Sequence, residues 1–189
     1  MKVLIVCEDP THDRYVVEPV VARLLADLGA KARTEVLADP HLRGVDDLLA
    51  QLPSIIADNP MIDLFVVVID RDGNRRNNVE RLENAVVQLN KEASRGKLVG
   101  CCAIEEVEAW LLALHRDALP TAWPIVRRDC DVKERHALPF LRLRGCGGPG
   151  QGRKEAMREL GRGWRGLQQV CDEITALRRQ IETSLQGPR

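Results

Sequence analysis

Two runs in this chain, Val3-Leu4-Ile5-Val6-Cys7 and Phe65-Val66-Val67-Val68-Ile69, are apolar at every position. A strand with one wet face alternates apolar and polar residues. A short, unbroken, β-branched run belongs instead to a strand buried on both faces, as in a parallel sheet between helix layers. Each run stops at acid: Glu8 follows the first, and Asp70-Arg71-Asp72 follows the second. In open α/β sheets ligands collect outside the carboxyl ends of the strands, so three carboxylates are expected where ligands gather. Hard oxygen donors in that place suit Mg²⁺ or Mn²⁺ better than softer metals.

The remaining pattern agrees with this class. Strands are expected over residues 2–7, 31–37, 64–69 and 98–104. Between them, helices are expected from Arg14 to Leu28, Val45 to Ala57 and Asn78 to Ala93. Pro19 places the true start of the first helix nearer Val17, or bends it. This alternation predicts a mainly parallel four-strand α/β sheet with helices on both faces. A helix through Val107, Leu111 and Leu114 follows, then a Pro-containing stretch. Gly145 to Gly152 reads as a loop that is mobile or folds over a ligand. Arg153 to Leu160 and Ile174 to Leu185 read as helices, joined by a linker at Gly161–Gly166.

At 189 residues the chain fits one domain with a small appendage. Met1-Lys2 leads directly into a strand-like run, and no stretch is apolar for long enough to cross a bilayer, so a soluble cytoplasmic protein without membrane partners is expected. The six cysteines lack CxxC spacing and read as core or incidental thiols. The net charge of zero conceals a division. Through Val126 there are 14 Lys/Arg against 20 Asp/Glu, and from Arg127 to Arg165 there are 11 against 5. An acidic half beside a basic half suits a metal-dependent enzyme acting on a polyanion such as nucleic acid.

Asp70 and Asp72 lie two residues apart and share one face of a continuing strand, so both can reach an ion beyond its end. An Asp- and Gly-rich turn is the plainer reading of the same residues, but turn chemistry does not require Glu8. Glu105, Glu106 and Glu108 follow the fourth strand and can reach the same edge, where they are candidates for a second metal. Acidic residues in a first helical turn also favour the helix dipole. Arg153 and Lys154 follow the glycine-rich loop at a helix start, a place that favours phosphate, although the loop is not a P-loop. His12 is a candidate proton shuttle, and Trp110 is expected in the core.

Glu8 after a strand, Asp13 at a helix start and Asp70-Arg71-Asp72 after a later strand together resemble the Toprim domain of topoisomerases, primases and small nucleases. Glu108-Ala109-Trp110-Leu111-Leu112 further resembles the signature of small bacterial Toprim-like proteins that accompany ATPases or phage-defence genes. The resemblance covers roughly residues 1–110. It implies a Toprim-like metal-binding domain over 1–117, and by charge and helical pattern residues 118–189 read as a basic, helical C-terminal extension packed on it. It also implies Glu8, Asp70 and Asp72 as catalytic residues, with Glu108 joining them as a metal ligand. The implied activity is Mg²⁺-dependent phosphodiester hydrolysis of nucleic acid in a phage-defence setting. Glu8-Asp9 departs from the family's usual Glu-Gly pair, and Asn74 stands where some members carry a third acid.

Two alternatives stay open. Asp70-Arg71-Asp72-Gly73-Asn74 also resembles the nucleophile motif of haloacid-dehalogenase-type phosphatases, although that family places the motif on its first strand. The other is a non-catalytic Toprim-like subunit acting through a partner ATPase. Few aromatic residues, 3%, are available to stack on single-stranded nucleic acid, so a partner could supply that contact.

Overall fold

The computed structural model describes residues 1–74, 76–92 and 97–186. Four strands form one sheet: β1 (Lys2–Cys7), β2 (Arg33–Val36), β3 (Leu64–Asp70) and β4 (Lys97–Ala103). All pairings are parallel and the order is β2-β1-β3-β4. Val6 lies opposite Val67, and Asp70 lies opposite Ala103. The protein is therefore α/β with a four-strand parallel sheet, as the apolar runs require.

Two cores explain why those runs are unbroken. On one face, Val3, Ile5 and Cys7 of β1 join Leu64, Val66 and Val68 of β3 and Val99, Cys101 and Ala103 of β4. They pack under α1 (Arg14–Asp27), α4 (Glu108–Leu114) and helices of the C-terminal segment. The alternate residues Leu4, Val6, Phe65, Val67, Ile69 and Leu98 pack under α2 (Gly44–Asp58) and α3 (Asn78–Glu92) on the other face. Side chains alternate across a strand, so covering both faces makes every position apolar.

Several boundaries differ from expectation. α1 begins at Arg14, not near Val17, because the N–H groups of Val16 and Val17 already donate to the Asp13 carbonyl, each at 2.8 Å. Pro19 sits inside the helix, where its missing donor is the one that would serve the Tyr15 carbonyl. β2 is shorter than the expected 31–37. The last residue expected in α3, Ala93, lies outside the described residues.

The C-terminal half holds α5 (Trp123–Val126), a π turn at Lys133–Ala137, α6 (Leu138–Leu143), α7 (Arg153–Ala156), α8 (Leu160–Val170) and α9 (Asp172–Gln186). The segment expected as a linker, Gly161–Gly166, is helical. Its glycines serve close approach rather than a turn: a Cβ on Gly163 would lie 2.8 Å from the Leu114 side chain, and one on Gly166 would lie 2.9 Å from the Arg116 guanidinium. Buried Leu160, Trp164 and Leu167 supply the apolar face of α8. The 145–152 loop is a folded turn, in which Gly150 has a φ of +65° and lies against the Tyr15 ring. No described helix is long and apolar enough to cross a membrane.

Candidate functional site

β1 and β3 are neighbours, but their exits diverge. From β1 the chain enters α1 on one face, and from β3 it enters α3 on the other. This divergence makes a topological switch point, the place where an open parallel sheet leaves a crevice at its carboxyl edge. Glu8 and Asp70 occupy it.

Glu8 Oε1 accepts the Asp70 backbone N–H at 2.7 Å. Asp70 in turn ties three segments together. Its Oδ1 accepts the Val107 N–H at 2.9 Å, before α4, and its carbonyl accepts the Asn78 side-chain amide at 3.1 Å, at the start of α3. The turn after β3 is docked on the turn after β4. Arg71 pairs with Glu105 Oε1, Gly73 N–H donates to Glu105 Oε2 at 2.7 Å, and Asp72 N–H donates to the Glu105 carbonyl at 3.2 Å. Asp72, Asn74 and Glu105 have φ values of 50°, 54° and 63°. A left-handed residue that is not glycine costs roughly 1–2 kcal/mol. The bonds converging on Glu105 offset that cost, and strain held in this way is characteristic of functional edges.

The electrostatics mark one acidic cluster. Burial, then the charge of Asp72, pushes Glu8 up to about 7, against the Asp70 N–H and Lys133. Asp13, whose Oδ2 accepts the Asp9 N–H at 3.2 Å, is raised to about 8 by burial, then by Glu108 and Asp9. Asp70 is raised well above the usual carboxylate range by burial, then by Glu8, Asp13, Glu108 and Glu106. Glu106 reaches about 7, again chiefly through burial, although its Oε2 accepts the Lys133 N–H at 2.5 Å. Burial works against the Lys133 charge, yet Glu108, Asp13 and Asp9 raise its pKa overall. Carboxylates crowded beyond the positive charge available share protons instead.

The structure thus brings Glu8, Asp70 and Glu106 together, with Asp72 at the exposed rim. Among the described residues, no group of three His, Cys, Asp or Glu side chains is arranged to hold a metal ion. Two expected ligands are otherwise engaged. Glu105 is bound to Arg71 and Gly73, and Glu108, 1% exposed, accepts from Arg153 Nε at 3.1 Å and from its terminal nitrogen at 2.5 Å. The expected phosphate pair is divided in the same way: Arg153 is fully buried, also donating to the Gly150 carbonyl at 3.0 Å, whereas Lys154 is exposed. As placed, Arg153 is a partner for Glu108 and does not face a surface ligand. His12 Nδ1 lies 2.9 Å from Asp9 Oδ2. Asp9, despite burial, is held below the usual range by His12 and by the Thr11 and His12 amides.

In the sequence Asp13 has a place in the Toprim-like pattern but no role in the site, and nothing singles out Lys133. Asp13 precedes a helix and looks like a cap, although its side chain caps nothing and is 5% exposed. Lys133 carries no sequence signal, since only tertiary packing brings the π turn against α4. No known protein family, no curated protein and no solved structure matches this chain.

Proposed function

We propose that the protein is a metal-dependent phosphodiesterase of Toprim type, acting on nucleic acid through the crevice between β1 and β3. The observation that carries this reading is the contact of Glu8 with the Asp70 amide at the switch point, inside a carboxylate cluster with too little positive charge. The donor chemistry suits Mg²⁺ or Mn²⁺, because it consists of carboxylate oxygens whose repulsion a divalent cation relieves, although as placed no three of the described His, Cys, Asp or Glu side chains are arranged around one ion. Asp70 would hold the cation, with Asp72 at the rim, Asp13 or Glu106 within the cluster and Glu8 beside it. When bound, such an ion neutralises phosphate charge and acidifies a bound water.

The chain's own part is proton handling and positioning. Glu8 Oε1 is fixed on the Asp70 amide, so Oε2 is the oxygen left to take up or release a proton. In the metal-free protein, burial above all holds that carboxyl up to about 7, and a bound cation beside it would favour the ionised, proton-accepting form. Asp70 is oriented from the opposite side by the Val107 N–H. The test is a panel of DNA and RNA substrates with Mg²⁺ or Mn²⁺, comparing the wild-type protein with Asp70→Asn and Glu8→Gln. Cleavage lost in both variants with the fold retained is expected; undiminished turnover in Asp70→Asn would overturn the reading.

One observation favours a second reading. Lys133 supplies positive charge inside the cluster, while Arg153 and Arg71 neutralise Glu108 and Glu105. A chain that balances its own acids could serve as a non-catalytic subunit of a partner ATPase. Absence of turnover by the wild-type protein on every substrate would favour it.

A further inference from the structure

The cations of the basic segment from Arg127 to Arg165 divide into those engaged within the fold and those exposed, Arg128, Arg135, Arg142 and Arg144 among the latter. Arg127 is bound to Glu173 and the Ile104 carbonyl, Arg153 is bound to Glu108, and Lys133 belongs to the acidic cluster. These cations hold the fold together. Four others, Lys154, Arg158, Arg162 and Arg165, are exposed and fall at spacings of four, four and three along the helical run from α7 through α8. The buried residues of the same run, Ala156, Leu160, Trp164 and Leu167, sit about two positions further on each time. Two residues are roughly 200° of helix rotation, so the cations form one stripe directly opposite the packed face.

Both ends of the stripe are placed. Lys154 begins beside Arg153, whose guanidinium touches Glu108, and the preceding Gly150 lies against Tyr15 in the first turn of α1. The stripe therefore starts one residue from the buried partner of Glu108. About 17 Å further along it reaches a groove of about 370 Å³ between α8 and α1, lined by Arg162, Arg165, Gln168 and Arg23. There Arg23 lies 5.8 Å from the Trp164 ring centre, braced by Asp27 at 2.9 Å, and Glu159 braces Arg162 at 3.1 Å. Among the described residues, no carboxylate is paired with Lys154, Arg158 or Arg165.

Lys154, Arg158 and Arg165 are solvated and do nothing for the core, and with the braced Arg162 and Arg23 they make a row of cations whose chemistry suits a linear polyanion. We propose that Lys154, Arg158, Arg162 and Arg165, with Arg23 across the groove, form a track that binds the phosphate backbone of a nucleic acid. This track rests on the phosphodiesterase reading for its substrate class, but it concerns binding, not cleavage.

The test is binding of a fluorescein-labelled 30-base-pair duplex, and of its single strand, in EDTA across several salt concentrations. The proteins compared are wild type, Arg158→Ala/Arg162→Ala/Arg165→Ala and Arg142→Ala, the last an exposed cation off the stripe. The triple variant should lose about 3 units of log–log salt slope on duplex and about 2 on single strand, with weakened affinity, whereas Arg142→Ala should match wild type. The form that loses more affinity in the triple variant at a fixed salt concentration is the one the track carries. An unchanged slope in the triple variant, an equal loss in Arg142→Ala, or no binding by wild type would each overturn the track. Cleavage with an unchanged slope would sink the track and leave the enzyme reading standing. A lost slope without any cleavage by wild type would do the reverse.

Discussion

Arg153 and Glu108 are 0% and 1% exposed, and the guanidinium meets the carboxylate through two nitrogens. Breaking such a pair from one side leaves a buried charge without compensation, which costs about 3–5 kcal/mol. Arg153→Met should therefore lower stability by that amount in urea denaturation, and adding Glu108→Leu should recover much of the loss. If Arg153→Met costs under about 1 kcal/mol, the pair is not what fixes α7 to α4. Proton linkage gives a second expectation at this scale. Glu8 and Asp13, raised to about 7 and about 8, hold protons in the folded state that the unfolded chain releases near pH 4. Their contribution is complete below that range and is lost as pH rises through 8, so metal-free protein should lose stability from pH 5 to pH 8. His115, whose pKa burial lowers, works in the opposite direction in the same window. The informative quantity is thus the difference between wild type and Glu8→Gln. The variant should show the shallower decline, and parallel curves would mean that Glu8 is not raised.

Among the elements, glycine separates what a composition reading runs together. Gly161 lies within α8 with open space at its Cβ position, and Gly161→Ala should raise stability by about 0.5–1 kcal/mol, read as a higher denaturation midpoint. Gly152 has a φ of +89°, and a Cβ there would meet the Cys146 carbonyl oxygen at 2.5 Å. Gly152→Ala should destabilise by roughly 1–3 kcal/mol in the same assay, through both backbone strain and overlap. A neutral outcome would mean that the 145–152 turn adjusts without cost. Both glycines lie in stretches that sequence reasoning took as loop or linker, and only the second is a turn. Local composition carries the freedom of glycine but not the neighbour that makes closeness necessary, such as Leu114 against Gly163. The strands were easier to read because burial on both sheet faces prints itself on every residue of β1 after Lys2 and of β3 before Asp70.

At the scale of the whole molecule, the C-terminal segment completes the sheet's packing. Phe140, Trp164, Leu167, Ile174 and Leu177 share one core cluster with Val3, Ile5 and Val66. Glu173 of α9 accepts the Trp110 indole N–H at 2.7 Å and pairs with Arg127, which also donates to the Ile104 carbonyl just ahead of the acidic turn. Lys97 of β4 donates to the Ser184 carbonyl at 2.6 Å. Denaturation followed by tryptophan fluorescence and by circular dichroism should therefore give one coincident transition, since Trp110 and Trp164 report from the two halves of the chain. Two separated transitions would mark a division near residue 117. The sequence by itself determined the parallel sheet and the placing of Glu8, Asp70 and Asp72 at its carboxyl edge, because strand burial and chain exit are local properties of a few consecutive residues. Only the tertiary structure decided which charges are engaged within the fold. Arg153 meets Glu108 across 45 residues, Arg71 meets Glu105 across 34, and Lys133 enters the acidic cluster from a distant turn. The partner of a charge is set by how helices pack over the sheet, and no periodicity in the chain records that distance.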